Sequence, residues 1–225
     1  MTSSEIIKKL KTMGSSRNIA GMARFGINPK NTLGVPVPEL RRMAKEIGKD
    51  HELALRLWDS GIHEAKALAS MVDIPKEVSR KQMRRWIKDF DSWDVCDQTC
   101  TNLFVFAPGA YNECFVLAKS NKEFVKRTAF ALMACFAFKD KKMKNKEFIR
   151  FFPVIKKAAS DERNFVRKAV NWALRQIGKR NLRLNKEAIK IAQEIKKMDY
   201  KSAKWIANDA LRELQSEVVL QRLRT

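Results

Sequence analysis

A chain of 225 residues can fold as one large domain or two small ones, and it is long enough to bury a substantial core. Its charge is more restrictive: 46 Lys and Arg against 25 Asp and Glu give a formal net charge of +21. That excess is more than solubility requires and points to a polyanionic partner. An anionic membrane is the competing polyanion, but the chain has no apolar run of about 18 residues and no signal-like apolar stretch at its N-terminus, so the expectation is a soluble, cytoplasmic protein.

In chain order, the first 37 residues are interrupted by Gly14, Gly21, Gly26, Gly34, Pro29 and Pro36 and read as an irregular segment. Only Ser4 to Met13 reads as a short helix there, suited to capping the first repeat. From Pro38 onward, almost every segment repeats its apolar residues with helical period and ends at Gly, Pro, Asn or Asp. The predicted helices are 38–47, 50–60, 62–72, 79–90, 92–106, 110–119, 121–138, 145–159, 163–179, 185–198 and 201–216. No stretch alternates with period two, so the expected fold class is all-α, and short loops imply antiparallel neighbours.

Self-similarity refines this. Phe124-Val125-Lys126-Arg127 resembles Phe165-Val166-Arg167-Lys168 at an offset of 41, and Asn171, Ala173, Leu174 and Arg175 recur as Asn208, Ala210, Leu211 and Arg212 at an offset of 37. Those periods match HEAT-type helical pairs. About five such pairs would stack into one HEAT-like superhelical solenoid over residues 1–225, with a concave basic groove.

Cys96, Cys100, Cys114 and Cys135 lie in apolar helical stretches and read as reduced core residues. Cys96 and Cys100 share a helix face, but no C-x-x-C or HExxH accompanies them and His51 and His63 are distant in sequence, which argues against a metal site. Neither histidine adjoins a nucleophile signal; His63, at a helix start beside Glu64, reads as a surface or inter-repeat residue.

Three features depart from the repeat pattern. Trp172 lies roughly 130° from the centre of the face formed by Val166, Ala169, Val170, Ala173 and Ile177, among Lys168, Arg175 and Lys179. An indole among cations is either a recognition surface or a side chain packed along Lys and Arg stems. Asp97 lies one turn after Trp93 and before Cys100 and Phe104, so its carboxylate borders an apolar strip; it either pairs with a buried Arg between repeats or meets a cation. Asp91 or Ser92 can cap that helix, and Asp94 suits its positive end. Arg127 projects over Ala131 and Ala134 from a helix apolar on nearly all sides. Lys126 and Arg127 also oppose the dipole of its first turn, which points to a use for them, in a structural pair or against a phosphate. Arg163, Arg167, Lys168, Arg175, Lys179 and Arg180 supply further potential phosphate contacts.

Met22-Ala23-Arg24-Phe25, the Gly34-Val35-Pro36-Val37-Pro38-Glu39-Leu40-Arg41 helix start, Ser92-Trp93-Asp94 with Val95 and Asp97, Arg127 in Phe-Val-Lys-Arg, and Lys168 to Arg175 occur in this order on the repeat background. Together they resemble the HEAT-like DNA alkylation repair glycosylases, the AlkD family, over about Ala20 to Leu214. The resemblance implies an enzyme that holds duplex DNA on a concave basic face. It would hydrolyse the N-glycosidic bond of cationic alkylated purines such as 3-methyladenine and 7-methylguanine, leaving the lesion in the stack. Carried over, Trp93 and Trp172 would wall the lesion's deoxyribose, Asp97 would be the catalytic carboxylate, and Arg127 would orient it or contact phosphate. Phe25, Lys126, Arg167, Lys168, Arg175 and Lys179 would contact DNA. The implied partner is double-stranded DNA bearing alkylated bases, bound by a monomer without metal or cofactor. The family members compared carry Tyr where this chain has Phe25, so stacking is kept while any hydroxyl hydrogen bond is absent. Two other expectations compete: a non-catalytic HEAT module for branched or distorted DNA, and a scaffold for an acidic protein.

Overall fold

The computed structural model describes residues 1–224, and among them every regular element is a helix. The elements are α1 (Ser3–Thr12), α2 (Ser16–Arg24), α3 (Val37–Ile47), α4 (His51–Asp59), α5 (His63–Val72), α6 (Arg80–Lys88), α7 (Trp93–Asn102), α8 (Ala110–Leu117), α9 (Glu123–Lys139), α10 (Asn145–Ile149), α11 (Phe152–Ala158), α12 (Asn164–Gly178), α13 (Leu182–Lys196), α14 (Lys201–Leu214) and α15 (Glu217–Arg224). Short 3₁₀ turns lie at Pro75–Glu77 and Phe104–Phe106. None of these helices is long and apolar enough to cross a membrane. The chain divides into two compact units, Met1–Gly109 and a second beginning at Ala110.

In the first unit the expected irregular N-terminus is mostly helical. Thr2 and Glu5 close a capping box around the start of α1, and Ser15 caps α2 by accepting from the Asn18 N–H at 3.3 Å. Gly21 does not stop α2, because the missing side chain faces open space and glycine costs a helix only about 1 kcal/mol. The loop that follows is held by Glu64. This carboxylate is 1 % exposed and accepts from the backbone N–H groups of Leu33, Gly34 and Val35 at 2.8, 2.6 and 3.3 Å. Gly34 is required there: its φ is +80°, and a Cβ would sit 2.4 Å from the Ser15 carbonyl.

Helices α3 to α6 fall within two residues of their predicted limits. Asp50 starts α4 by accepting from the Leu53 N–H at 2.9 Å. The core of the unit is aromatic, with Trp58 and Trp86 stacked at 3.9 Å between ring centroids and Phe90 and Phe104 against them. Predicted helix 92–106 is shorter than expected, since Leu103 leaves helical dihedrals (φ −128°, ψ −64°) and a 3₁₀ turn carries Phe104 into this core.

In the second unit α9 and α12 form the centre. From Arg127 to Ala137 every residue of α9 is buried, as its all-round apolar sequence requires. Predicted helix 145–159 is two helices, α10 and α11, because Pro153 has no N–H to continue the ladder and instead occupies the first turn of α11. Helix α13 begins three residues earlier than predicted, where Asn181 caps it by accepting from Leu184 N–H at 3.0 Å; α15 was not anticipated. The two sequence offsets become contacts between equivalent or adjoining positions of successive repeats. Phe124 stacks on Phe165 at 5.6 Å, Glu123 accepts from the Phe165 N–H at 3.3 Å, and the Asn171 amide donates to Asp209 at 2.7 Å.

All four cysteines are buried thiols outside any disulfide, and burial raises the Cys114 pKa well above its ordinary value. Gly178 closes α12 where a Cβ would lie 2.9 Å from the Ala188 Cβ and 2.7 Å from a Leu214 methyl. Gly178→Ala is therefore expected to destabilise the protein by about 1–3 kcal/mol through overpacking, lowering Tm by several degrees in a thermal melt. An unchanged Tm would mean that Leu214 moves aside freely.

Candidate functional site

The first unit contains a cleft of about 1060 Å³, lined by α2, the 34–37 segment and the first turns of α7. It gathers three of the residues singled out in the sequence: Phe25, Trp93 and Asp97. Phe25, 74 % exposed, ends α2 and presents its ring to solvent. Trp93 and Asp97 are half-buried one turn apart on α7. The Trp93 Nε1–H donates to the Phe25 carbonyl at 3.0 Å, across 68 residues of chain. With its donor occupied, the indole can act on a ligand only through its π face.

Local bonds explain how Phe25 reaches α7. The Asn28 N–H donates to Ser92 Oγ at 2.8 Å, and the Asn28 amide donates to Asp91 at 2.8 Å. Ser92 occupies the N-cap position of α7 but makes no side-chain cap bond. The capping role expected for Asp91 or Ser92 is thus replaced by a tertiary clip, in which both side chains satisfy Asn28. Asp94 has a further role beyond its place at the positive helix end. Its Oδ2 lies 2.8 Å from Nε2 of His63, which is 7 % exposed, so His63 joins α5 to α7 as the inter-repeat reading anticipated.

Arg17 and Arg24 also line the cleft; in the sequence Arg24 entered only as part of the Met22-to-Phe25 motif and Arg17 not at all. The signal was present: Arg17, Ala20, Gly21 and Arg24 recur at i, i+3, i+4 and i+7, one face of a helix with small residues between two cations. Treating residues 1–37 as irregular concealed that face.

In the second unit the predicted cations divide into two sets. Arg127, only 5 % exposed, donates to the Phe165 carbonyl at 2.6 Å. Lys126 bridges to Asp161 at 2.8 Å, as does Arg163 at 2.6 Å. Burial alone would raise the Asp161 pKa, but these two cations hold its carboxyl well below the usual range. Arg175 donates to Glu213 at 2.6 Å and lies 3.4 Å from Asp209, while Lys179 reaches Glu213 at 2.6 Å. Their charge is therefore compensated inside the repeat stack. Arg167 lies 5.1 Å over the Trp205 ring, and Lys168 is exposed. Trp172 is half-buried, 6.2 Å from the Phe138 ring. With the Gln176 amide oxygen turned toward it, the indole N–H donates at 3.3 Å and Lys179 donates to the same oxygen at 3.2 Å. Glu213, Asp209 and Trp205, which organise this surface, were not anticipated. Their partners lie 34 to 38 residues away, beyond any local pattern.

No group of three or more His, Cys, Asp or Glu side chains able to hold a metal ion occurs among the described residues.

The His63 to Asp94 contact generates a pH prediction. Burial would lower the His63 pKa, but the hydrogen bond and charge of Asp94, with Glu64 and Asp91 nearby, outweigh it and raise the value above its ordinary 6.5. A folded-state pKa above the unfolded one makes the contribution complete below about pH 6.5 and lost as pH rises through the folded value. Urea unfolding should therefore show stability falling over that interval in the wild type, and His63→Gln should flatten the step. An identical slope in the variant would assign the step to another group.

The profile of a family described as DNA alkylation repair enzyme matches residues 6–214. Among curated proteins, no sequence matches this chain. Among solved structures, one aligns over 99 % of this chain and 96 % of its own with a TM-score of 0.82 at 19 % identity. It is described as representing a new family related to the HEAT-like repeat DNA glycosylases with affinity for branched DNA structures, and the likeness establishes a shared HEAT-like repeat fold. An engineered protein (TM-score 0.43, 14 % identity, 78 % of this chain and 90 % of its own) and a designed armadillo repeat protein bound to a peptide (0.38, 13 %, 82 % and 88 %) align more loosely. The family match spans nearly the whole chain, and with the all-helical repeat fold it leads to one conclusion: this protein belongs to the DNA alkylation repair enzyme family.

Proposed function

We propose that this protein is a DNA glycosylase that releases cationic alkylated purines from duplex DNA. The observation that carries the reading is the first-unit cleft, which the Asp97 and Trp93 side chains of α7 line together with the exposed Phe25, Arg17 and Arg24. Those cations suit flanking phosphates, and the carboxylate and π faces suit positive charge.

A purine alkylated on a ring nitrogen is already a good leaving group. The bond between C1′ and the purine nitrogen breaks with its electron pair passing to the base, whose positive charge is thereby neutralised. The sugar acquires oxocarbenium character, water adds its oxygen to C1′, and the water proton passes to Asp97 or to solvent. No general acid is required, in keeping with a cleft whose candidate catalytic group is a carboxylate. Asp97 stabilises the developing sugar charge and orients water, and the Trp93 face adds to that stabilisation. The family resemblance extends roles in the same reaction to Arg127 and Trp172, and contacts with the DNA backbone to Lys126, Arg167, Lys168, Arg175 and Lys179.

A second reading is a non-catalytic protein for branched DNA. It is favoured by the fold relative with affinity for branched structures, and it would leave Asp97 without consequence.

Duplex DNA carrying 7-methylguanine, assayed for heat-labile abasic sites, separates the two. Excision is expected in the wild type and should fall by about 10²-fold or more in Asp97→Asn, with DNA affinity nearly unchanged. No release from any of several cationic lesions would sink the glycosylase reading. Glu213→Gln is expected to free Arg175 and Lys179 and so to tighten duplex binding severalfold at low salt, measured by fluorescence anisotropy. Unchanged or weaker binding would show that these two cations serve the fold alone.

A further inference from the structure

The second unit contains a pocket of about 390 Å³ that the proposed reaction does not use. It lies where α9 and α12 end and α13 begins, with the last turn of α15 beside it. Lys141, Lys179, Arg180 and Arg222 line it with the amides Gln176 and Asn181, and no acid is among the lining side chains.

Arg180 is the informative member. It is half-buried, donates to the carbonyls of Ala137 at 2.9 Å and Met143 at 3.0 Å, and lies 4.7 Å over the Phe148 ring. The bond to Ala137 satisfies one of the last four carbonyls of α9, which have no partner within the helix, so part of its role is structural. That role does not neutralise it. Carbonyl oxygens carry no net charge, Arg180 forms no ion pair among the described residues, and burial lowers its pKa despite the charge of Asp140. A guanidinium held in this way is stabilised by an anion brought to it.

The pocket supplies further groups suited to that anion. Lys141 is exposed at its rim, and Asn181 is the N-cap of α13, so the positive end of a 15-residue helix opens at the same place. Lys179 is already partly matched, because it shares Glu213 with Arg175. Gln176 connects the pocket to Trp172, whose indole N–H its amide oxygen accepts at 3.3 Å. Donors that converge from several helix ends suit a compact oxyanion with acceptors on several sides. A carboxylate offers one planar pair of oxygens to one fork, whereas a phosphate monoester offers three oxygens and about two charges.

We propose that this pocket is a phosphate-binding site, in which Arg180, Lys141 and the start of α13 surround one phosphate group supplied by a nucleic-acid strand or by free phosphate. The proposal does not depend on base excision, and its failure would leave the reading of the first-unit cleft intact.

The test titrates isotope-labelled full-length protein with sodium phosphate, against sodium chloride of equal ionic strength, and follows the Arg180 Nε–H and the Asn181 and Leu182 backbone N–H groups by NMR. Saturable shifts with phosphate and none with chloride are expected. Lys141→Glu, at an exposed position, should weaken phosphate binding about tenfold or more. Lys196→Glu makes the same change of charge at the far end of α13, about 21 Å along the helix and beyond the Debye length of about 10 Å, and should leave binding within about twofold of the wild type. A thermal melt verifies that both variants fold. A short linear duplex then identifies the source. Shifts of the same groups with duplex, to which phosphate adds nothing, would assign the pocket to a strand phosphate, and phosphate shifts that persist beside duplex would assign it to free phosphate. No saturable shift with either probe, or equal losses in Lys141→Glu and Lys196→Glu, would overturn the proposal.

Discussion

Glu64 is the residue on which the first unit depends. A carboxylate taken out of water carries a cost of several kcal/mol unless its lone pairs are satisfied, and here three consecutive backbone N–H groups at residues 33–35 satisfy them. Each charge-assisted bond of this kind contributes about 1.5–3 kcal/mol, so the segment is fixed to α5 as firmly as a helical turn. Its neighbour His63 reaches Asp94 on α7. Two adjacent residues on one helix therefore anchor both sides of the cleft: the 34–37 segment that leads from α2 into α3, and the turn that carries Trp93 and Asp97. The clip between Asn28 and the Asp91-Ser92 pair completes the frame and brings the Phe25 carbonyl to the Trp93 indole.

The second unit is held differently. Its successive repeats are joined by polar contacts: Glu123 with Phe165, Lys126 with Asp161, Asn171 with Asp209, Arg175 with Glu213. Side chains that look in sequence like a basic row thus include members already matched to acids one repeat away. A net charge of +21 is real, but it is not evenly available. Arg175 and Lys179 share a carboxylate, while Lys168 stands at the surface.

These two kinds of cation give different meanings to the same composition. Paired ones fix the repeat stack and depend on geometry at distances of a few ångströms. Exposed ones act at longer range, through counterion release from a polyanion, and their effect declines with salt. The cleft combines a few such cations with two aromatic rings and a carboxylate, a set suited to a positively charged base and sugar in the proposed reaction and poorly suited to nucleophilic catalysis that needs an activated histidine.

Helical periodicity is a local property, and so the all-α class and most helix limits were legible in the sequence. So was the repeat, because stacked units must present similar faces to one another; the DNA alkylation repair family followed from motifs set on that background. Trp93 and Asp97 could be paired because one helical turn separates them. What the sequence could not settle by itself were outcomes of competition between local and distant partners. Ser92 forgoes its cap for Asn28, Leu103 leaves the helix so that Phe104 can enter the core, Glu64 orders a glycine-rich segment that reads as irregular, and Glu213 claims Arg175 and Lys179. In each case the winning contact reaches well beyond the local helix, and its energy exists only once the tertiary structure has brought the partners within hydrogen-bonding or packing distance.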